Sequence, residues 1–418
     1  MLQLLPLNDT GGVQSPYDAL SVFALNPIHI SLTGEGDREL NSLKHIDYKE
    51  VWKRKEAHLR GAFANHWDEI KKGLAYKTFQ ENNPWLHDYG SFRGDVDFYT
   101  FLQFIAFEQM RQVKEHANRQ NILLKGDIPI LLSKKSVDVK THFNFFLTHL
   151  NVGCPPDKYI PQGQNWHFPL YDWEKHFDEA INWWKSRLKT AEYFYHLYRL
   201  DHVVGLFRIW AIPLGKKATE GHFIPRHPKQ WIAQGKKILQ MMQNYTDMIP
   251  IAEDLGLVPK SVKNCLTELG IPGTCVVRWS RTRETEGRYL RAEQYPALSM
   301  TTLSTHDTET LAQWWGSRPE EARPFAKMMG MKWQKRLLPE QRLEILRFSH
   351  QTNSLYHINL LQEWLALFED LVWERLSDER INIPGKNMQT NWRYRFRPNL
   401  ESLVQDKRLK DAIAYCLK

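Results

Sequence analysis

Apolar, strand-like runs alternate with amphipathic helical sequence along nearly all of this chain, and no other feature constrains its fold as tightly. The runs lie at 2–7, 122–132, 197–204, 248–252, 273–279, 298–304 and 380–383. Between them, 44–72, 97–118, 173–195 and 228–243 place apolar residues at helical spacing, as does part of 328–373. A strand that returns through a helix pairs parallel to its predecessor, so the pattern predicts a parallel sheet covered by helices. The expected fold class is α/β, a (β/α)8 TIM-type barrel with inserted helical and loop subdomains. Closing such a barrel takes about eight strands, and the first run found begins at Leu2. The first strand and helix are therefore expected to be missing. One catalytic domain is expected over 1–418, with an insertion at about 28–120 and a Pro-, Gly- and aromatic-rich, lid-like loop at 153–173.

Composition narrows the partners. The formal charge is +8, yet the 56 Lys and Arg are interspersed with 48 Asp and Glu instead of forming one basic block, so no nucleic-acid partner is expected. Cys154, Cys265, Cys275 and Cys416 have no CxxC spacing and are too few for a disulfide scaffold, which predicts reduced thiols in a cytoplasm. No apolar stretch approaches the ~20 residues of a membrane span, so no membrane partner is expected. Neither an EF-hand-like acid run nor a His cluster is present. The 16 Trp are many; most are expected in the core, although flat rings also suit the apolar faces of pyranoses.

Chemistry concentrates where the runs stop. Asp201, Glu253 and Asp307 each follow an apolar run, and although any one of them alone reads first as a helix cap, acids at several strand ends suit a barrel enzyme. Retaining glycosyl transfer needs a carboxylate nucleophile and a second, protonated carboxyl about 5–5.5 Å away. Arg199 beside Asp201 would hold the nucleophile ionised, and crowding by another carboxylate would raise Glu253 into the range of a general acid. Asp307 would grip sugar hydroxyls and stabilise oxocarbenium-like charge. His202 and His306 flank two of the acids as donors to hydroxyls.

The segments YRLDHVVG (198–205), IAEDLG (251–256) and STHDTET (304–310), in that order, resemble the active-site motifs of the 4-alpha-glucanotransferases, the amylomaltase or disproportionating-enzyme family. LLPLNDTG, SPYDALSVFALNP, KGDIPI, PPDKYIPQGQNW, VVRW, ERINIPG and NWRYR extend the resemblance over nearly the whole chain. It implies cleavage of an α-1,4 bond in a malto-oligosaccharide or longer glucan and transfer to the 4-hydroxyl of a glucose or maltodextrin acceptor. It also implies no metal or organic cofactor, and no acid run or His cluster is present to contradict that. By motif position Asp201 is the nucleophile, Glu253 the general acid/base and Asp307 the transition-state stabiliser. Arg199, His202 and His306 would contact the sugar or the acids, and Tyr17 and Trp166 would line the glucan cleft. Asp127, Asp157, Gln164 and Asp254 form a second line; helix capping is the alternative for Asp127 and a core place for Tyr17. His167 and Glu309 depart from the family, where Gly and Pro are common. An α-glucan hydrolase would use the same acids, and an inactive glucan-binding protein is the alternative that a missing N-terminus would favour.

Overall fold

The computed structural model describes every residue except 33–39, 41–42, 157–159, 283–286 and 387. The chain divides into two compact units, Met1–Asp37 with Tyr48–Cys265, and Arg38–Asp47 with Leu266–Lys418.

In the first unit four parallel strands, Leu2–Gln3, Leu124–Pro129, Leu197–Asp201 and Ile249–Ala252, pair in that order. The register sets Asp127 opposite Arg199 and Ile251 opposite Arg199 on the other side. Paired residues share a face and the side-chain period along a strand is two, so Gln3, Lys125, Asp127, Arg199 and Asp201 lie on one face. Leu124, Ile128, Tyr198 and Leu200 lie on the other, all buried. The expected helices form at Tyr48–Ile70, Val96–Arg119, Phe177–Glu192 and Pro228–Tyr245. Asp95 fixes the start of one of them, its side chain accepting the Phe98 N–H, a cap worth about 1 kcal/mol. Aromatic residues fill the helical segment, where Phe63 packs on Trp67, Phe98 and Phe101 with ring centroids 5.5 Å apart.

The run expected as one strand over 197–204 ends at Asp201. Val204–Phe207 makes a helical turn, and Ile209–Pro213 then enters an antiparallel sheet with Leu150–Cys154, Gln164–Asn165 and His222–Ile224. A Cβ on Gly205 would lie 2.5 Å from Ile130 Cδ1, so only glycine lets the chain turn this closely over the neighbouring strand end.

In the second unit Gly273–Val276, Ser299–Thr302 and Tyr356–His357 form a parallel three-stranded sheet. The strand expected at 380–383 does not form. Its main-chain groups are spent on loops instead: the Asn382 N–H donates to His306 O at 3.1 Å and Ile381 O accepts the Trp392 N–H at 2.7 Å. The strand found at 356–357 has only two residues and no apolar run to announce it. The unit's core holds Trp314, Trp315, Phe325, Ile345 and Leu365. A fully buried Glu363 carboxylate in it pairs with Arg342 at 2.7 Å and accepts from Ser304 and from the Leu311 N–H. Such a charge is tolerated in the core only because its lone pairs are used.

Candidate active site

Arg199 is the hub of the first unit's polar face. Its Nη1 lies 2.9 Å from both oxygens of Asp127 and 2.6 Å from Asp201 Oδ1, while Nη2 lies 3.9 Å from Glu253 Oε2. Strand register explains this: Asp127 sits directly across from Arg199, Asp201 two residues on along the same strand, and Glu253 just past the end of the next strand. Burial opposes the guanidinium's charge, but Asp127 and Asp201 outweigh it and hold the Arg199 pKa well above its ordinary value. The Tyr17 hydroxyl donates to Asp127 Oδ2 at 2.8 Å, so both groups serve to seat Arg199. Asp127 lies within the strand with no exposed side-chain surface, so it caps no helix and acts on the site through Arg199. Lys125 lies on the same face, its Nζ donating to Gln3 Oε1 at 3.0 Å. Burial and then Arg199 push its ammonium down to about 7.

Glu253 is held from its neighbour strand. Its Oε2 accepts the His202 main-chain N–H at 2.8 Å and its own N–H donates to Leu200 O at 3.0 Å. Burial, with Asp201 and Asp254 close by, pushes the carboxyl up to about 8 against the pull of Arg199 and the His202 N–H. Desolvation is the dominant cause, and it favours the uncharged acid that proton donation requires. Asp254 turns to Lys263, 3.2 Å away. His202 has φ 48, a left-handed backbone that costs a non-glycine residue roughly 1–2 kcal/mol; burial lowers the pKa of its ring, keeping the imidazole neutral. Trp166 meets that ring edge to face, centroids 5.0 Å apart, and donates its indole N–H to Gln164 Oε1 at 2.8 Å. His167 also has a positive φ, 63, the conformation that glycine adopts without cost at such a position. Asp157 lies outside the described residues.

In the second unit Asp307 follows the Ser299–Thr302 strand. Its Oδ1 accepts from Asn382 Nδ2 at 2.7 Å, its Oδ2 lies 3.4 Å from His306 Nε2, and its carbonyl accepts from Arg380 at 3.2 Å. His306 is buried, with its ring centroid 5.6 Å from that of Trp392. The departure at Glu309 lies nearby: its carboxylate is 3.5 Å from Arg278 and 3.4 Å from Arg318, and its carbonyl accepts from Arg278 at 2.7 Å.

Sequence reasoning singled out neither Asn382, Arg380 nor Trp392, although ERINIPG and NWRYR contain them. An Asn and an Arg in a short apolar run were the available signal; reading that run as a strand hid it. Lys125, in KGDIPI, was passed over in the same way. Among the described residues no three His, Cys, Asp or Glu side chains converge as a metal site, and no helix is long and apolar enough to cross a membrane.

The model of the 4-alpha-glucanotransferase family matches residues 1–94 and 93–401. The 4-alpha-glucanotransferase of Chlamydia pneumoniae is 39% identical over 461 residues, covering 99% of this chain and 87% of the relative. That of Thermus thermophilus is 27% identical over 466 residues, covering 98% and 89%. Among solved structures, the amylomaltase from Streptococcus agalactiae in complex with acarbose matches with a TM-score of 0.82 at 22% identity, over 99% of this chain and 90% of that one. The amylomaltase from Corynebacterium glutamicum matches with a TM-score of 0.84 at 20% identity, over 100% and 70%. The two structures share the α/β fold described above.

Proposed function

The chain belongs to the 4-alpha-glucanotransferase family, and from that premise we propose that it transfers α-1,4-glucan segments between maltodextrins by retaining double displacement. The observation that carries the reading is the pairing of Asp201 with Arg199 at 2.6 Å beside a Glu253 whose pKa burial raises to about 8. A carboxylate paired with a guanidinium, beside a second carboxyl that burial raises, is what nucleophile and general acid require.

In the first half-reaction an Asp201 oxygen attacks the anomeric carbon of the donor. The C1–O4 bond breaks, and the Glu253 proton goes to the departing O4, leaving a glycosyl ester on Asp201 and an ionised Glu253. In the second, the 4-hydroxyl of an acceptor attacks C1, Glu253 takes its proton, and the ester bond to Asp201 breaks. Arg199 disperses the charge on Asp201 in both steps. By its motif Asp307 stabilises the oxocarbenium-like charge, with His306 and Asn382 fixing its carboxylate. His202, Tyr17, Trp166, Gln164, Asp127, Asp157 and Asp254 keep the sugar-contacting or supporting roles their motifs assign. Transfer over hydrolysis needs water kept from the ester, and the 153–173 loop is the lid we assign to that task. No cofactor, nucleic acid or membrane enters the scheme. The four cysteines, all without a disulfide, fit a cytoplasmic site of action.

The test is incubation of the purified chain with maltotriose, resolving products by length, with Asp201→Asn as control. Glucose plus a ladder of longer maltodextrins, absent in the control, is the expected outcome. Shorter sugars alone would make the protein a hydrolase, and a folded chain that binds glucan without turnover would overturn the enzymatic reading.

A further inference from the structure

His202 links two parts of the first unit: the strand end that carries Asp201 and the loop segment that carries Trp166. Its left-handed backbone, φ 48, turns the main-chain N–H onto Glu253 Oε2 at 2.8 Å. The Trp166 ring stands at 89° to the His202 ring with centroids 5.0 Å apart. A Cβ on Gly205 would come within 2.9 Å of the imidazole Cδ2, so glycine leaves the ring its room. Trp166 is anchored in turn, its indole on Gln164 and its main-chain N–H on Val152 O at 2.9 Å. A non-glycine residue keeps a left-handed backbone only while its surroundings enforce it.

We propose that His202 is a positioning residue that couples the seating of Trp166 to the acid/base: the indole clamps the imidazole, the clamp keeps the backbone left-handed, and the N–H so aimed stabilises the ionised carboxylate of Glu253. The proposal rests on reading Glu253 as the acid/base, and it gives Trp166 a task separate from any contact with glucan. A carboxyl that gives a proton in one half-reaction and takes one in the next is served by a donor that can be engaged and released. The charged groups facing Glu253 are Arg199 and Asp201 on the adjacent strand and Asp254 beside it. Trp166 itself meets the His202 ring and bonds to Gln164 and Val152, so replacing the indole acts on Glu253 through His202.

The experiment follows the Glu253 carboxyl by carbon-13 NMR across pH in the full chain labelled at glutamate, the resonance assigned with Glu253→Gln. A hydrogen bond to the charged form lowers a carboxyl pKa, so Trp166→Ala is expected to move the Glu253 midpoint upward by about one pH unit. Trp166→Phe, which keeps an aromatic edge, is expected to return it toward the parent value. Asn accepts a left-handed backbone without a clamp, so in His202→Asn the midpoint is expected to stay put whether or not Trp166 is replaced. An unchanged midpoint in Trp166→Ala overturns the coupling, as does an equal shift in the His202→Asn background. Should Trp166→Ala fail to fold, Trp166→Leu removes the ring edge with a smaller loss of volume and carries the same expectation. The titration needs no turnover. A chain that shows the shift but makes no maltodextrin ladder keeps the coupling and loses the transferase reading; one that makes the ladder without the shift does the reverse.

Discussion

The first unit's acids and the second unit's Asp307 are held by opposite means. Asp201 and Glu253 have side chains 20% and 15% exposed and share one guanidinium, that of Arg199, whose own side chain is 12% exposed. The Asp307 side chain is 42% exposed; its carboxylate accepts from the Asn382 amide and lies beside the His306 imidazole, and its carbonyl accepts from the Arg380 guanidinium. A buried set of charges is compensated only as a whole, because removing one partner strands the others in low dielectric. An exposed carboxylate keeps its hydration, and each contact can be lost singly. The first arrangement raises the Glu253 carboxyl in advance of substrate. The second sets only the direction in which a charge points.

The sharpest way to break that contrast is to remove the hub. Arg199→Met leaves Asp127, Asp201 and Glu253 without their shared cation, and the cost expected is about 3–5 kcal/mol of folding stability together with loss of measurable transfer. Urea unfolding measures the first and the maltotriose ladder the second. Asp127→Asn should show a milder form of the same loss, since Tyr17 and Arg199 keep an acceptor there. Near-parental stability in Arg199→Met would mean that the carboxylates are solvated after all.

Next in size is Glu253→Gln. Loss of the proton donor and acceptor is expected to lower transfer by ~10²–10⁴-fold. Stability should move the other way, and its sign follows from the raised pKa. The folded chain binds the Glu253 proton up to about pH 8, whereas the unfolded chain releases it near the ordinary value of 4.5. The protonated group's contribution is thus complete below 4.5 and is lost as pH rises through 8. Gln stays neutral throughout, so thermal unfolding scans from pH 4 to 9 should show Glu253→Gln gaining on the parent as pH rises. Curves that remain parallel would show that Glu253 is not desolvated.

Much of this contrast was legible in the residues, and what was hidden has physical causes. Arg199 beside Asp201 in one apolar run announces a cation near a nucleophile, since two residues along a strand return to the same face. Six of the seven expected strands occur, each shortened at one or both ends. That Asp127 lies across from Arg199 could not be read, because register between strands some seventy residues apart is decided by packing. The left-handed turn at His202 was invisible for a related reason: histidine takes positive φ more often than most residues but still too seldom to announce it, and only Gly205, three residues on, hints at a tight passage. The segment 380–383 misled because Ile381 and Ile383 alternate with polar residues as they would in a strand. Its polar groups had a stronger claim, on the 306–307 turn, than a third strand could make on its backbone.

The smallest effect tests the second unit. Asn382→Ala deletes the amide that donates to Asp307 Oδ1 at 2.7 Å. A hydrogen bond to a charged group contributes about 1.5–3 kcal/mol when buried, but water can replace this one at a carboxylate with 42% of its side chain exposed. The expected loss in kcat/KM is therefore near the lower end, about tenfold. Arg380 and the Asn382 main chain still tie 380–383 to the 306–307 turn, so the urea midpoint should stay close to that of the parent. The ratio of the two effects carries the information. If activity falls tenfold while stability is unmoved, Asn382 aims a carboxylate that the fold does not need. If both fall together, the 306–307 turn is held as cooperatively as the Arg199 network, and exposure is a poor guide to how an acid is fixed in this protein.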